Sequence, residues 1–235
     1  MKAPEREQAE WESIEEDIAR ISTYYDRAAS LISFGMMERW RRKAARETEP
    51  WMHVLEVGSG PGSMTKLLHG KEICMLEPDE RLLRFSLERL QNEKLRPVLG
   101  VVEKLPFPDG TFDAVISSFS FKNFLNRESA LGEMGRVLKK GGKAVIVDIA
   151  EPDTRIRRYF MRLYMDSILP SLAYATVPRK VKRQWGRNPW KHLSNAYMNL
   201  GNPAEVASMA KRAGFSNVSF TYLMTHGVAL IVAVR

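Results

Sequence analysis

Apolar runs alternate along this chain with segments whose apolar residues recur at a helical period. The apolar runs predict seven strands, over Met52–Val57, Glu72–Glu77, Arg96–Val101, Phe112–Ser118, Lys143–Ile149, Val218–Leu223 and Val228–Val234. The segments between them predict helices over Ser63–His69, Asp79–Asn92, Arg127–Leu138 and Pro203–Ala213. Such alternation is typical of a mostly parallel sheet with helices on both faces. The pattern therefore predicts an α/β fold built on a doubly wound, Rossmann-like sheet.

Three segments depart from the simple alternation. Residues 1–50 predict a helical cap of two or three helices, with a joint at Phe34-Gly35. Only residues 224–227 separate the last two strands, too few for a helical crossover, so these strands must pair antiparallel. Residues 152–202 form an aromatic and basic insertion after the fifth strand. An insertion at that edge of the sheet lies over the ligand crevice, so we expect a helical lid that selects the substrate.

Composition excludes several classes of protein. A chain of 235 residues can bury the core of one α/β domain. The single cysteine, Cys74, lies in an apolar run, which excludes an intrachain disulfide and fits a reducing compartment. The first residues are charged, unlike a secretory signal, and no apolar stretch approaches the ~20 residues of a spanning helix. We therefore expect a cytoplasmic protein, soluble or peripheral to the membrane.

Basic residues cluster in one part of the insertion. The chain carries a net charge of +8, and residues 155–187 hold nine lysines and arginines against the single acid Asp166. Aromatic and aliphatic residues are interleaved with these charges, a composition suited to an anionic membrane surface. A merely solvated face is the alternative explanation. RNA is a less favoured partner because no RNA-binding appendage is evident.

The first predicted strand ends in a glycine-rich loop. Residues 55–62 are Leu-Glu-Val-Gly-Ser-Gly-Pro-Gly, and Glu77 closes the next apolar run. Glycines there permit a sharp turn and let a ligand lie against the backbone. An acid about 20 residues further on is where such folds hold ribose hydroxyls. Ser63 stands where a dinucleotide fingerprint has its third glycine; Glu56 with G-x-G-x-G instead resembles the first motif of S-adenosylmethionine (SAM) dependent methyltransferases.

Four further stretches carry a narrower resemblance. Residues 103–113, Glu-Lys-Leu-Pro-Phe-Pro-Asp-Gly-Thr-Phe-Asp, and residues 136–143, Arg-Val-Leu-Lys-Lys-Gly-Gly-Lys, are similar to loops common among small-molecule methyltransferases. Residues 118–124, Ser-Phe-Ser-Phe-Lys-Asn-Phe, resemble a serine followed by F-G-L-R-N-V, and residues 25–40 resemble Y-D-x-M-N-D-L-M-S-F-G-x-x-R-x-W. Together they resemble the ubiquinone/menaquinone biosynthesis C-methyltransferase family, from Tyr25 to about Leu230.

The resemblance implies a class I methyltransferase that uses SAM to methylate a ring carbon of a prenylated quinol, with residues 51–235 as the methyltransferase domain. By position, Glu56 and the glycine loop would line the methionine portion, Glu77 the ribose and Ser118 the cofactor floor, while Tyr25 would close over the sulfonium. The full set expected to bind SAM is Tyr25, Glu56, Gly58, Ser59, Gly60, Pro61, Gly62, Glu77, Pro78, Val101, Val102, Glu103 and Ser118. No metal site is predicted.

The chain departs from the family pattern at three places. Val101-Val102 replaces an Asp or Asn followed by Ala, so adenine must be held by backbone and packing alone. Lys122 replaces an arginine and cannot make a planar bidentate contact. The last strand has Leu230-Ile231-Val232 in place of a His-x-Gly ending. The last two departures bear on the ring substrate.

Methylation of a ring carbon also requires a proton acceptor. The carbon is a poor nucleophile until an adjacent hydroxyl loses its proton, so a base or a phenolate-stabilising donor is needed. Lys122, Asn123 and Asp148 are the predicted catalytic residues, and His226 is a further candidate. Each also has a structural explanation: an anion-pairing lysine, a turn-ordering asparagine, a strand-end acid and a hairpin residue.

Alternative acceptors stay open at this point. The same fold methylates nitrogen or oxygen of other small molecules or lipids, and RNA is a less favoured alternative. Amino-nitrogen methylation of bases is disfavoured because Ser118-Phe119-Ser120-Phe121 stands where N/D-P-P-Y/F is usual. The oligomeric state is also left open.

Overall fold

The computed structural model describes Tyr24 and residues 26–179, 182–183, 201–223 and 227–235. Its centre is a seven-stranded sheet in the order β3-β2-β1-β4-β5-β7-β6. The strands are β1 (His53–Val57), β2 (Glu72–Glu77), β3 (Leu95–Leu99), β4 (Phe112–Ser118), β5 (Leu138–Ile149), β6 (Asn217–Leu223) and β7 (Val228–Val234). Strands β1 to β5 pair in parallel, whereas β7 runs antiparallel to both β5 and β6. The predicted fold class and the antiparallel hairpin are confirmed.

Helices cover both faces of this sheet. They are α1 (Met36–Ala45), α2 (Glu80–Leu90), α3 (Arg127–Val137), α4 (Arg155–Leu163), α5 (Leu169–Ala175) and α6 (Pro203–Arg212). A π-helical turn, Tyr164–Ile168, joins α4 to α5. Side-chain caps begin α2, α3 and α6, because Asp79, Asn126 and Asn202 each accept from an amide of the first turn.

Two buried layers hold the sheet between its helices. Leu55 and Val57 of β1 point into a layer shared with α3 and α6, while Val54 points into a layer shared with α1 and α2. Burial on both faces explains why the central parallel strands are continuous apolar runs. A third cluster packs helical residues 26–32 against Met165, Leu169 and Ala173.

The N-terminal joint lies where the sequence predicts it. Residues 26–32 are helical, and the chain turns before α1 at Phe34 and Gly35, whose φ angles of 51° and 75° are left-handed. Residues 1–23 and Tyr25 lie outside the described residues, and the first part of the predicted cap falls within that range.

The predicted helix over Ser63–His69 is wrong. Only Thr65–Leu67 forms a single 3-10 turn. The cause lies in contacts with distant residues: the Thr65 hydroxyl donates to Glu56 at 2.6 Å, and the His69 amide donates to the Thr48 hydroxyl at 3.1 Å. These bonds draw the segment against the sheet and the turn that follows α1 before a second helical turn can form.

The remaining differences are at element ends. β5 begins at Leu138, directly after α3, five residues before the predicted start at Lys143. β3 begins at Leu95 and ends at Leu99, so Val101 lies in the following turn. No helix in the described part of the chain is long and apolar enough to cross a membrane.

Candidate active site

The carboxyl ends of β1, β2 and β4 border the larger of the two cavities relevant to function. We call it the switch-point cleft, because it opens where the strand order reverses between β1 and β4, the usual ligand position in doubly wound folds. It encloses about 1140 Å³, a volume that includes space open to solvent. Its walls include Glu56, Gly58, Ser59, Gly60, Pro61, Glu77, Pro78, Val101, Val102, Glu103 and Ser118.

The cleft thus brings together most of the residues predicted to bind the cofactor. Two are different. Tyr25 lies outside the described residues. Gly62 does not line the cleft and instead faces α2: a Cβ built on it would lie 2.8 Å from Leu90 Cδ1. Its left-handed φ of 75° favours glycine, and the close packing on α2 leaves little room for a side chain.

Gly60 is open to the cleft. Its φ is 52°, and a Cβ built there would meet no atom within 4 Å among the described residues. Its amide donates to the Glu77 carboxylate at 2.7 Å. The glycine therefore leaves bare backbone along the cleft wall, as a bound ligand requires.

Two buried carboxylates face the cleft from neighbouring strands. Glu77, at the end of β2, also accepts from the Asp79 amide at 3.3 Å. Glu56, on β1, is 1% exposed and accepts from the Thr65 hydroxyl at 2.6 Å. Burial raises the pKa of Glu56 to about 8, against the opposing effects of Thr65 and the nearby Arg41 charge. Near neutral pH most of the Glu56 carboxyl is therefore protonated, and a cation bound beside it would favour its ionised form.

Two hydroxyl groups on the cleft wall are suited to a polar ligand. The side-chain oxygens of Ser59 and Ser118 are buried and have no hydrogen-bond partner within the described ranges. A buried polar atom without a partner carries a desolvation cost that a ligand atom can relieve. The wall near Val101 and Val102 is apolar by contrast, as expected for a flat base held by packing.

The predicted catalytic residues occupy different positions. Asn123 is half-buried on the cleft wall, in the 3-10 turn Phe121–Asn123. Lys122 also lines the cleft, but its ammonium is buried and lies 3.2 Å from the Asp148 carboxylate. Asp148 is fully buried behind Lys122 and is not part of the cleft wall. His226 lies outside the described residues.

A second cavity, the apolar chamber, lies beside the cleft. It encloses about 710 Å³, again counting space open to solvent, between helical residues 26–32, α1, the α4–α5 insertion and the ends of β5 and β7. Its walls are mostly apolar: Ala29, Ile32, Ser33, Met37, Trp40, Phe119, Ile149, Met161, Tyr164, Met165, Leu169, Gly227 and Val228. Phe119 lines both cavities.

The sequence did not point to several of these residues. Arg41 is buried on the cleft wall, with its guanidinium 5.5 Å from the centre of the Phe119 ring. The sequence predicts a helix around Thr65, whereas the structure has a 3-10 turn there with the Thr65 hydroxyl bonded to Glu56. Trp40, by contrast, belongs to the N-terminal motif, and its ring lies 6.3 Å from that of Phe119, which belongs to the motif at residues 118–124.

Seven strands with β7 antiparallel, a glycine loop after β1 and an acid after β2 define the class of this protein, a class I SAM-dependent methyltransferase. Solved structures agree on the fold: a SAM-dependent methyltransferase of Thermotoga maritima matches with a TM-score of 0.62 at 18% identity, covering 94% of this chain and 99% of that one. One of Aquifex aeolicus matches at 0.58 and 17%, covering 88% and 96%.

The chain belongs to the ubiE/COQ5 methyltransferase family, whose model matches residues 6–234. Among similar curated proteins, a demethylmenaquinone methyltransferase of Thermus thermophilus is 32% identical over 91% of this chain and 96% of its own length. One of Symbiobacterium thermophilum is 28% identical over 92% and 90%. The protein is thus an enzyme whose cofactor is SAM.

Proposed function

We propose that this enzyme methylates a ring carbon of a prenylated quinol in ubiquinone- or menaquinone-type biosynthesis. The observation that carries the proposal is the apolar chamber, which shares the Phe119 wall with the switch-point cleft. An aromatic acceptor with a hydrocarbon tail needs an apolar cavity of this kind next to the methyl donor. The names of the Thermus and Symbiobacterium relatives support the same acceptor class.

The switch-point cleft is the SAM site in this proposal. Glu77 faces the ribose hydroxyls, Glu56 the cationic methionine end, and Val101 and Val102 the adenine. The unpartnered hydroxyl of Ser118 fits a polar group at the cleft floor. Bound SAM supplies an activated methyl group whose leaving group is a neutral thioether.

The chain must then align the acceptor and favour the phenolate form of its hydroxyl, whose proton is released to solvent. Alignment of nucleophile and methyl group is a proximity effect and accounts for much of the rate. Asn123, on the cleft wall, can hydrogen-bond to an acceptor hydroxyl. The Lys122 ammonium is neutralised by Asp148, so Lys122 bears on the reaction by holding the turn that carries Asn123.

A reconstituted reaction tests the acceptor class. The purified enzyme, SAM with a deuterated methyl group and a reduced demethylnaphthoquinol with a short prenyl tail should yield a ring-methylated product, identified by fragmentation in mass spectrometry. Matched reactions with phosphatidylethanolamine and with total RNA should remain unlabelled. Labelling of either control and not of the quinol would refute the proposal. Deletion of the gene should deplete methylated quinones in the cell.

We also propose that α4 docks at an anionic membrane surface, where such a quinol resides. No residue of α4 is buried, and Ile156, Tyr159, Phe160 and Leu163 form one apolar stripe with exposures of 46–71%. Arginines flank the stripe. Arg157 and Arg158 pair with Asp153 and Glu151, whereas Arg155 and Arg162 form no ion pair with another described residue.

The two sides of this insertion support that role. Its outer stripe faces solvent, while Met161 at the end of α4 and Tyr164 and Met165 of the π-helical turn line the apolar chamber. A helix that rests in the interface by its outer stripe would hold the chamber next to the acyl chains. Each arginine near an anionic surface adds about 1 kcal/mol of attraction.

Vesicle sedimentation tests the docking proposal. The enzyme should sediment with anionic vesicles and not with neutral ones, and less so as salt rises. Replacing Tyr159 and Phe160 by serine should abolish sedimentation, while the control Trp51→Ser, an equally exposed aromatic outside α4, should leave it intact. Equal loss in both variants, or displacement by competitor RNA, would contradict the proposal. Residues 180 and 187 of the basic segment lie outside the described residues.

A further inference from the structure

Phe119 has an unusual backbone for an aromatic residue. Its φ is 59°, in the left-handed region that favours glycine. Its amide donates to the Val147 carbonyl at 2.8 Å, and its ring is buried against Trp40 and Arg41. No other described residue lines both the switch-point cleft and the apolar chamber. A strained residue at a shared wall points to a functional reason for the strain.

A buried ion pair fixes this backbone. The Lys122 ammonium donates to the Phe119 carbonyl at 2.6 Å and to the Asp148 carboxylate at 3.2 Å. Asp148 in turn accepts from the amides of Lys122 at 3.1 Å and Ile149 at 2.7 Å. Both side chains are essentially unexposed. The pair therefore ties the turn after β4 to the end of β5, and its lysine also holds the Phe119 carbonyl.

We propose that the Phe119 ring is the partition that keeps cofactor and acceptor in separate cavities, and that the Lys122–Asp148 pair positions it. The inference rests on the proposed function, because it takes the chamber as the acceptor site. The methyl group must pass directly from donor to acceptor where the two cavities meet, so the Phe119 ring borders this opening and does not close it. The ring thus sets how closely an aromatic acceptor approaches the cleft and keeps it from occupying the cofactor's place. Lys122 and Asp148 act as positioning residues through the Phe119 backbone.

Binding competition is the measurable consequence. S-adenosylhomocysteine would be titrated by calorimetry with and without a prenylated naphthoquinone at ten times its own Kd. In the unchanged enzyme the Kd of S-adenosylhomocysteine should shift less than twofold. In Phe119→Gly, which tolerates the left-handed backbone but lacks the ring, the quinone should enter the cleft. A fully competitive quinone would then raise the Kd about elevenfold.

Variants of Lys122 test the positioning role. Lys122→Met removes the donor to the Phe119 carbonyl and should also produce competition, whereas Lys122→Arg keeps a donor and a charge and should restore independent binding. Leu131→Ala, a buried core variant in α3, controls for lost stability and should show no competition.

The outcomes separate this inference from the proposed function. If the unchanged enzyme binds S-adenosylhomocysteine but not the quinone, the proposed function fails and the partition with it. If it binds both independently and Phe119→Gly does the same, the partition alone is overturned. If Leu131→Ala competes as strongly as Lys122→Met, or Lys122→Arg behaves like Lys122→Met, the positioning role is overturned.

Discussion

Glu56 makes SAM binding depend on pH in a way that one substitution should remove. The buried carboxyl has a pKa of about 8 because burial disfavours its charge. The methionine end of SAM carries an ammonium, a sulfonium and a carboxylate, and its two cationic groups favour an ionised Glu56. Ligand binding must therefore release the proton that Glu56 holds near neutral pH, so the affinity should rise with pH.

The expected magnitude follows from the ionised fraction. With a pKa of about 8, roughly 1% of Glu56 is ionised at pH 6 and roughly 10% at pH 7. If SAM binds only the ionised form, its Kd falls about tenfold over that unit, or about 1.4 kcal/mol. The amino group of the ligand stays protonated over this range, since α-amino groups titrate at about 7.7–8.0.

Calorimetry at pH 6.0, 6.5 and 7.0 in buffers of different ionisation enthalpy measures both the Kd and the protons released. Glu56→Gln should bind SAM with a flat profile over this range and release no proton. A slope below twofold per pH unit in the unchanged enzyme, or the same slope in Glu56→Gln, would refute the argument.

The stability of the ligand-free protein gives an independent check, because it should fall as pH rises whereas the affinity for SAM should rise. Because the folded-state pKa of Glu56 lies above the ordinary value of 4.5, the folded chain holds a proton that the unfolded chain releases. This contribution to stability is fully present below about pH 4.5 and is lost as pH rises through about 8. The slope of Tm against pH in this window should be shallower in Glu56→Gln.

Four further changes have defined expected results. Gly60→Val should abolish S-adenosylhomocysteine binding in calorimetry by placing a side chain in the cleft, whereas Gly132→Ala in α3, also with open space at its Cβ, should not. Glu77→Ala should weaken binding by about 1–3 kcal/mol, the cost of a lost charged hydrogen bond. Asp26→Asn removes the ion pair between Asp26 and Arg89, which ties residues 26–32 to α2. If that pair contributes about 1 kcal/mol, S-adenosylhomocysteine should dissociate roughly fivefold faster in stopped flow. Asn123→Ala should lower kcat and leave the Kd of SAM unchanged.

The strands were predictable because their signal is local. Phe112–Ser118 and Val228–Val234 have the predicted bounds, since continuous apolar runs flanked by turn residues require no information from the rest of the chain. Most of the cleft wall was predictable for a related reason. The carboxyl ends of β1, β2 and β4 meet at one edge of the sheet, so residues at those ends share a site.

What could not be predicted depends on contacts between distant residues. Ser63–His69 has the period of a helix, yet its hydroxyls bond to Asp26 and Glu56. Lys122 and Asp148 are 26 residues apart, and the sequence predicts each of them separately as a catalytic residue. Their pairing becomes evident only when β4 and β5 lie side by side. The left-handed backbone of Phe119 has no sequence signal, because glycine, asparagine and aspartate are the residues that indicate that conformation.

The end of β4 explains why Lys122 can replace the arginine of the family pattern. Ser117 and Ser120 share a hydrogen bond at 2.9 Å, and Ser120 donates to the Val57 carbonyl at 3.0 Å beside the glycine loop. On the other side, Lys122 bonds to the Phe119 carbonyl and to Asp148 of β5. The position thus needs a long cation that can donate to two oxygens, and a planar fork is not required because the partners are a carbonyl and one carboxylate oxygen. The substitution therefore preserves the wall between the two cavities, and differences in acceptor should arise from the residues of the chamber, on helical residues 26–32 and the α4–α5 insertion.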